Sequence, residues 1–227
     1  MGPFWDKIRK DFPKVAHAVP IYGANEVLVP DISGLVLPRV WLMSEDTTHL
    51  IQLQQNRFHF NWRQDADNKA TYIRFPAVRS ECLRIWDLFE KFISQELGSP
   101  LQPTGAELTY INILEVGKSG DVFQYAQRAL RDVAWDSQNR KLPVPTQGNV
   151  TYSFPVPNDV GELQVSTLTG RKLDGTQVLK LELTVRGKHS EERSFGEWSQ
   201  LAHDFLVEAF RDLTTPEMHN EWQLREE

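Results

Sequence analysis

Arg57-Phe58-His59-Phe60-Asn61-Trp62-Arg63 alternates without a break between large apolar and polar side chains. On an extended chain Phe58, Phe60 and Trp62 point one way, and Arg57, His59, Asn61 and Arg63 the other. Strict period two over this length specifies an antiparallel strand with one buried face. The aromatic row then needs an apolar layer to cover it. After Pro76, the residues Cys82, Ile85, Trp86, Phe89, Phe92, Ile93 and Leu97 recur at helical spacing and form one stripe. Gly98 and Pro100 stop that helix. A helix laid on one face of an antiparallel sheet, in an α+β domain, is the simplest way to bury both.

Working upstream, residues 49–54 put Leu50, Gln52 and Gln54 on one face and Ile51 and Leu53 on the other. Gln55-Asn56 lies between this strand and the next and suits a tight hairpin turn, because Asn tolerates positive φ. Residues 40–44 form a further strand, and 71–75 are either a fourth strand or an extended lead into the helix. Phe4, Trp5, Ile8 and Phe12 have helical spacing that Pro13 ends. From Pro13 to Pro38 runs a connector punctuated by Pro20 and Pro30. Its Val27, Leu28, Val29, Leu35, Val36 and Leu37 make it too apolar for a disordered linker, so it reads as an extended surface strap.

Downstream, the same order of elements returns. A strand covers 107–116. A helix over 122–133 carries Val122, Phe123, Ala126, Ala129, Leu130 and Val133. Strands follow near 150–154, 162–169 and 178–185, with Gly170 and Asp174-Gly175 marking a hairpin. A last long helix over 195–213 is lined by Trp198, Leu201, Ala202, Phe205, Leu206, Ala209, Phe210 and Leu213. Thr214 or Thr215 caps a short final helix that starts at Pro216. The expectation is therefore a tandem pseudo-symmetric repeat of strand–helix–three or four antiparallel strands–long helix. This is a helix-grip, TBP-like plan with repeats over 1–100 and 101–227 packed as one unit on one sheet system. The first repeat lacks its opening strand. Either the strap supplies it, or the sheet keeps an open edge, or the sequence begins downstream of the natural start. Burial is expected at Phe60, Trp62, Trp86, Phe89, Trp198 and Phe205, with His59 and Asn61 more exposed.

Composition narrows the function classes. Hydrophobic residues at 40% and charged residues at 25% are ordinary for a soluble globular protein, and 7 Trp argue against disorder. No apolar run approaches the roughly 18–20 residues of a membrane span. Charged residues interrupt the first turns, so no secretory leader is legible. A single cysteine, Cys82, excludes an internal disulfide framework and fits a cytoplasmic location. The net charge of −6 argues against strong nonspecific nucleic-acid binding. Its excess lies in the last helix and tail, where it reads as a solvated helix face.

The stretches Phe4 to Pro13, Pro38 to Asp46, His49 to Arg63, Glu107 to Asn112 and Thr214 to Trp222 resemble a sporadically distributed, uncharacterised family of bacterial and archaeal proteins. The run from Ile51-Gln52-Leu53-Gln54 to Phe60-Asn61-Trp62-Arg63 is the most specific part, and the resemblance covers nearly the whole chain. Family members carry an extra N-terminal strand. The resemblance implies no activity, cofactor or catalytic residue. Its patchy distribution matches the genomic habit of phage-defence and other mobile gene sets.

The sequence holds no nucleotide-binding glycine loop, no zinc-protease helix motif, no CxxC and no GxSxG elbow. His203, Asp204 and Glu208 read as surface charge on the polar side of their helix. His203, His219 and Glu217 lack metal-ligand spacing. Cys82 reads as a packing cysteine. No catalytic, cofactor or metal residue is assigned. The Phe58, Phe60, Trp62 row could stack bases, but the helix stripe claims it for the core. That leaves Arg57, His59, Asn61 and Arg63 as the candidate row for an anionic or hydrogen-bonding ligand or partner. The expected function is a non-catalytic binding or sensor subunit with a protein partner, such as the product of a neighbouring gene. A homodimer fits the same class. Two alternatives stand beside it: a lipid or small hydrophobic ligand binder with a cavity between sheet and long helix, and an enzyme with an unrecognised site.

Overall fold

The protein is a mixed α+β chain with two four-stranded antiparallel sheets and five helices among the described residues. The structure, a computed structural model, describes residues 2–21, 38–64, 70–98, 100–132, 141–143, 145, 147–188, 190 and 192–224. The apolar positions expected along the strap at 27–29 and 35–37, and the helix end expected at Val133, lie outside them. Contacts divide the chain into two compact units, Met1–Leu101 and Gln102–Glu227. Among the described residues no helix is long and apolar enough to cross a membrane.

The first unit runs α1 (Gly2–Ile8), β1 (Lys14–Ala18), β2 (Arg39–Met43), β3 (His49–Gln54), β4 (Arg57–Trp62) and α2 (Phe75–Leu97), with sheet order β1-β2-β3-β4. Residues 71–74 are not a strand and lead directly into α2. Strand β1 lies in the segment read as a strap, and it pairs with β2 from Lys14↔Met43 to Ala18↔Arg39. The hairpin turn forms at Gln55 and Asn56, yet neither residue has positive φ. Gln54 Nε2 donates instead to Asn56 Oδ1 at 2.8 Å, which fixes the turn from its flank. Helix α2 starts with Pro76 in its first turn and ends at Gly98 in the left-handed region (φ 68°).

The core of this unit lies on one face of the sheet. Phe4 and Ile8 of α1 and Ile85 and Phe92 of α2 pack with Phe12, Leu42, Ile51 and Leu53. Phe4 meets Phe89 edge-on at 5.1 Å, and Phe58 lies 5.2 Å from Phe89. Phe60 and Phe89 pack against the cluster but stay partly exposed, and every residue of β4 is half-buried. The expected contrast between a buried aromatic row and an exposed His59 and Asn61 is therefore absent. Deepest burial goes to Phe4, Ile8 and Phe12 at the N-terminus, Ile51 of β3 and Ile85 of α2.

The second unit runs β5 (Gly105–Gly117), α3 (Val122–Ala129), β6 (Asn149–Val156), β7 (Gly161–Arg171), β8 (Gln177–Lys188), α4 (Phe195–Leu213) and α5 (Pro216–Glu221). Its sheet order is β5-β8-β7-β6, so β5 lies beside the last strand, whereas β1 lies beside β2. Leu163, Val165, Leu179, Leu181, Leu183 and Val185 face Trp198, Ala202 and Leu206 of α4. Asn158 and Asp159 take positive φ between β6 and β7. Gly161 follows at φ 138°, where an added Cβ would stand 1.9 Å from the Arg186 carbonyl oxygen, so only glycine fits. Asp174 and Gly175 turn the next hairpin, with Thr176 N–H donating to Asp174 Oδ1 at 2.9 Å. Ser194 opens α4 with a capping box to Glu197.

Candidate functional site

Helices α1 and α2 cover one face of the first sheet, and register fixes what the other face presents. Ala16, Trp41, Gln52 and His59 stand in one cross-strand row. Lys14, Met43, Leu50 and Asn61 form the next. Ala18 pairs with Arg39, and Gln54 pairs with Arg57, two residues further along. Arg63 follows the end of β4. These positions carry three arginines, a lysine and a histidine, and not one Asp or Glu. Lys14 is already paired with Glu45 at 3.4 Å, and the arginines and histidine make these positions suit negative charge.

Its side chains differ in how they are engaged. Asn61 Oδ1 accepts from Gln52 Nε2 at 2.6 Å. Arg63 Nε donates to the Thr47 carbonyl at 2.8 Å, and its backbone N–H donates to the Thr48 carbonyl at 2.8 Å. Arg63 thus ties β4 to the 44–48 turn. Gln54 clasps the backbone of Ile21: its Oε1 accepts from Ile21 N–H at 2.9 Å and its Nε2 donates to Ile21 O at 2.8 Å. Arg57 and His59 stand on the same face of β4 and are half-buried.

Between them and β1 lies a group the sequence reading passed over. Arg39 lies over the Trp41 ring at 5.5 Å, a cation–π contact. Burial draws the Arg39 guanidinium below its ordinary value. Arg39 Nε, Trp41 Nε1 and Gln52 Oε1 are all buried, and none has a hydrogen-bond partner among the described residues. The alternation Arg39-Val40-Trp41-Leu42 is the sequence signal that sets Trp41 on the face opposite Leu42, but only the β2–β3 register brings it to Gln52.

The other candidate groups are accounted for within the second unit or by burial. His203 does not lie on an open polar face: its Nδ1 is 2.5 Å from the Tyr110 hydroxyl of β5. His219 Nε2 is 2.7 Å from Thr214 Oγ1, inside the clasp between α4 and α5. Burial, helped by Glu81, pushes the Cys82 thiol up to about 12, away from nucleophilic thiolate character. Among the described residues no three metal-binding side chains converge. On the helix side of the second sheet a void of about 10 Å³ is lined by Leu130, Tyr152, Val165 and Leu213. That is room for one water at most, whereas a more open pocket of about 270 Å³ is lined by Val122, Gln147, Thr169, Gly170, Arg171 and Gln177.

Compared with known proteins, the chain matches no family model, no curated protein and no solved structure.

Proposed function

We propose that the chain is a non-catalytic binding or sensor subunit, whose recognition surface is the face of the first sheet opposite α1 and α2. The observation that carries this is the concentration of Arg39, Arg57, His59 and Arg63 on one face where, among the described strand residues, no Asp or Glu stands. The partner in this reading is a protein with an acidic surface, encoded by a neighbouring gene of a phage-defence or other mobile set, and met in the cytoplasm. The resemblance to the sporadically distributed bacterial and archaeal family belongs to the same proposal. So does the tandem helix-grip repeat, which is supported by two antiparallel meanders, β2-β3-β4 and β6-β7-β8, each followed by a long helix. The two units differ in the edges taken by β1 and β5, in the order of α1 before β1 but α3 after β5, and in the added α5.

The test is co-expression of the tagged chain with the neighbouring gene's product, followed by capture. Arg57→Gln, checked as folded by its Tm, is expected to lower the captured amount, because it removes a positive charge from this face. Equal capture by the variant and the parent chain would overturn the assignment of this face.

A further inference from the structure

We infer that Arg39, Trp41 and Gln52 form a binding site for a small oxyanion, a phosphate ester or a carboxylate that also carries a hydroxyl or N–H donor. The inference rests on the binding-subunit reading and names the trigger class that such a sensor would detect. Three buried polar atoms without partners carry it: Arg39 Nε and Trp41 Nε1 as donors, and Gln52 Oε1 as acceptor. Folded proteins leave few buried polar groups unpaired, so three on neighbouring positions of one sheet face need a common explanation. Trp41 and Gln52 are directly opposed across β2 and β3, and Arg39 is two residues from Trp41 on the same side. Opposed Cβ atoms are about 5 Å apart and i, i+2 positions about 6–7 Å, a footprint that one small molecule spans.

The donor and acceptor set selects the ligand. An oxyanion takes the two N–H groups, as charge-assisted acceptors do. The ligand's own hydroxyl or N–H then donates to Gln52 Oε1, whose amide is held in orientation by the bond from Nε2 to Asn61 Oδ1. Arg57 and His59 lie beside this group on β4, and none of the described strand positions of this face is an Asp or Glu. Arg39, Trp41 and Gln52 are each partly exposed even though these atoms are buried.

The experiment follows the indole N–H of Trp41 in a ¹⁵N-labelled full chain, with the resonance assigned by its loss in Trp41→Phe. Glycerol 3-phosphate is one arm, citrate the second, and sodium chloride at matched ionic strength the control. The expected result is a saturable shift of that resonance with one or both anions and none with chloride. A response to glycerol 3-phosphate alone identifies phosphate esters, to citrate alone carboxylates, and to both a general oxyanion site. Arg39→Gln and Gln52→Glu, checked as folded by their spectra, are expected to weaken binding at least about tenfold, and Arg39→Lys less. No shift with either anion up to about 20 mM, an equal shift with chloride, or unchanged affinity in both variants would overturn the inference. Failure here with Arg57-dependent partner capture intact removes only the oxyanion site. Anion binding without partner capture removes the partner reading instead.

Discussion

Thr214 is fully buried, and its hydroxyl joins α4 to α5 there. Its Oγ1 donates to the Phe210 carbonyl at 2.6 Å and lies 2.7 Å from His219 Nε2, which is then the donor to it. Next door, Thr215 Oγ1 donates to the Arg128 carbonyl at 2.6 Å and its N–H to the Ala129 carbonyl at 3.0 Å. The Thr214-Thr215-Pro216 run therefore joins α3 to α4 and α5. Thr214→Val keeps the volume but leaves the His219 N–H and the Phe210 carbonyl without this partner. A loss of about 1–3 kcal/mol in urea unfolding is expected, and no loss would show that the clasp adds nothing. Cys82 makes the opposite kind of prediction. With its thiol raised from 9.0 to about 12, the thiolate fraction at pH 8 drops by roughly 10²–10³. Alkylation by iodoacetamide should be slower by that order in the native chain than in urea. Equal rates would show an open thiol.

At the scale of elements, the strands and helices with strong internal periodicity were legible in the sequence. Strand β4 alternates cleanly, the stripes of α2 and α4 are continuous, and Asp174-Gly175 turns its hairpin. Strand β1 was not legible, because its alternating residues, Lys14 to Ala18, are half-buried or exposed and give no apolar signal. The pairing of β5 with β8 is set by contacts far apart in sequence, which local patterns do not encode. The candidate site divides in the same way. The row on β4 lies on one strand and could be read, whereas Arg39, Trp41 and Gln52 converge only through the register of two strands. His203 was misplaced for a similar reason, since helical spacing cannot reveal its contact with Tyr110. One link between elements is titratable. Glu81 of α2 accepts from Arg84, which also reaches Asp11 beyond α1 at 3.0 Å. The hydrogen bond from Arg84 holds the Glu81 carboxyl below its ordinary 4.5. The unfolded chain then binds more protons than the folded one as pH falls past that value. This contribution is complete above about 4.5 and is lost as pH falls through the lowered value. Glu81→Gln should therefore lose less of its Tm between about pH 5 and 3 than the parent chain does, and parallel Tm curves would exclude the link.

For the whole molecule, the division at Leu101 and Gln102 is matched by the cores. Every described residue of the first apolar cluster belongs to Met1–Leu101, and every one of the second to Gln102–Glu227. The second cluster is the larger. It draws on six elements, from Val122 and Ala126 of α3, through Val156 of β6, Leu163 and Val165 of β7 and the Leu179–Val185 side of β8, to Trp198 and Leu206 of α4 and Met218 of α5. Its edges are closed by bonds internal to the unit: Trp198 Nε1 donates to the Val160 carbonyl at 2.8 Å, and Arg131 N–H donates to the Leu213 carbonyl at 3.0 Å. A segment of this size, with its own buried sheet face and a helix cap box at Ser194, holds what an independent folding unit requires. The fragment 102–227 expressed alone is expected to unfold cooperatively, with dispersed amide resonances and a Tm within about 10 °C of the matching transition in the full chain. Ser194→Ala should lower that Tm in fragment and full chain alike, since the capping box is worth about 0.5–2 kcal/mol in either. A fragment that melts without cooperativity would show that its stability depends on the first 101 residues.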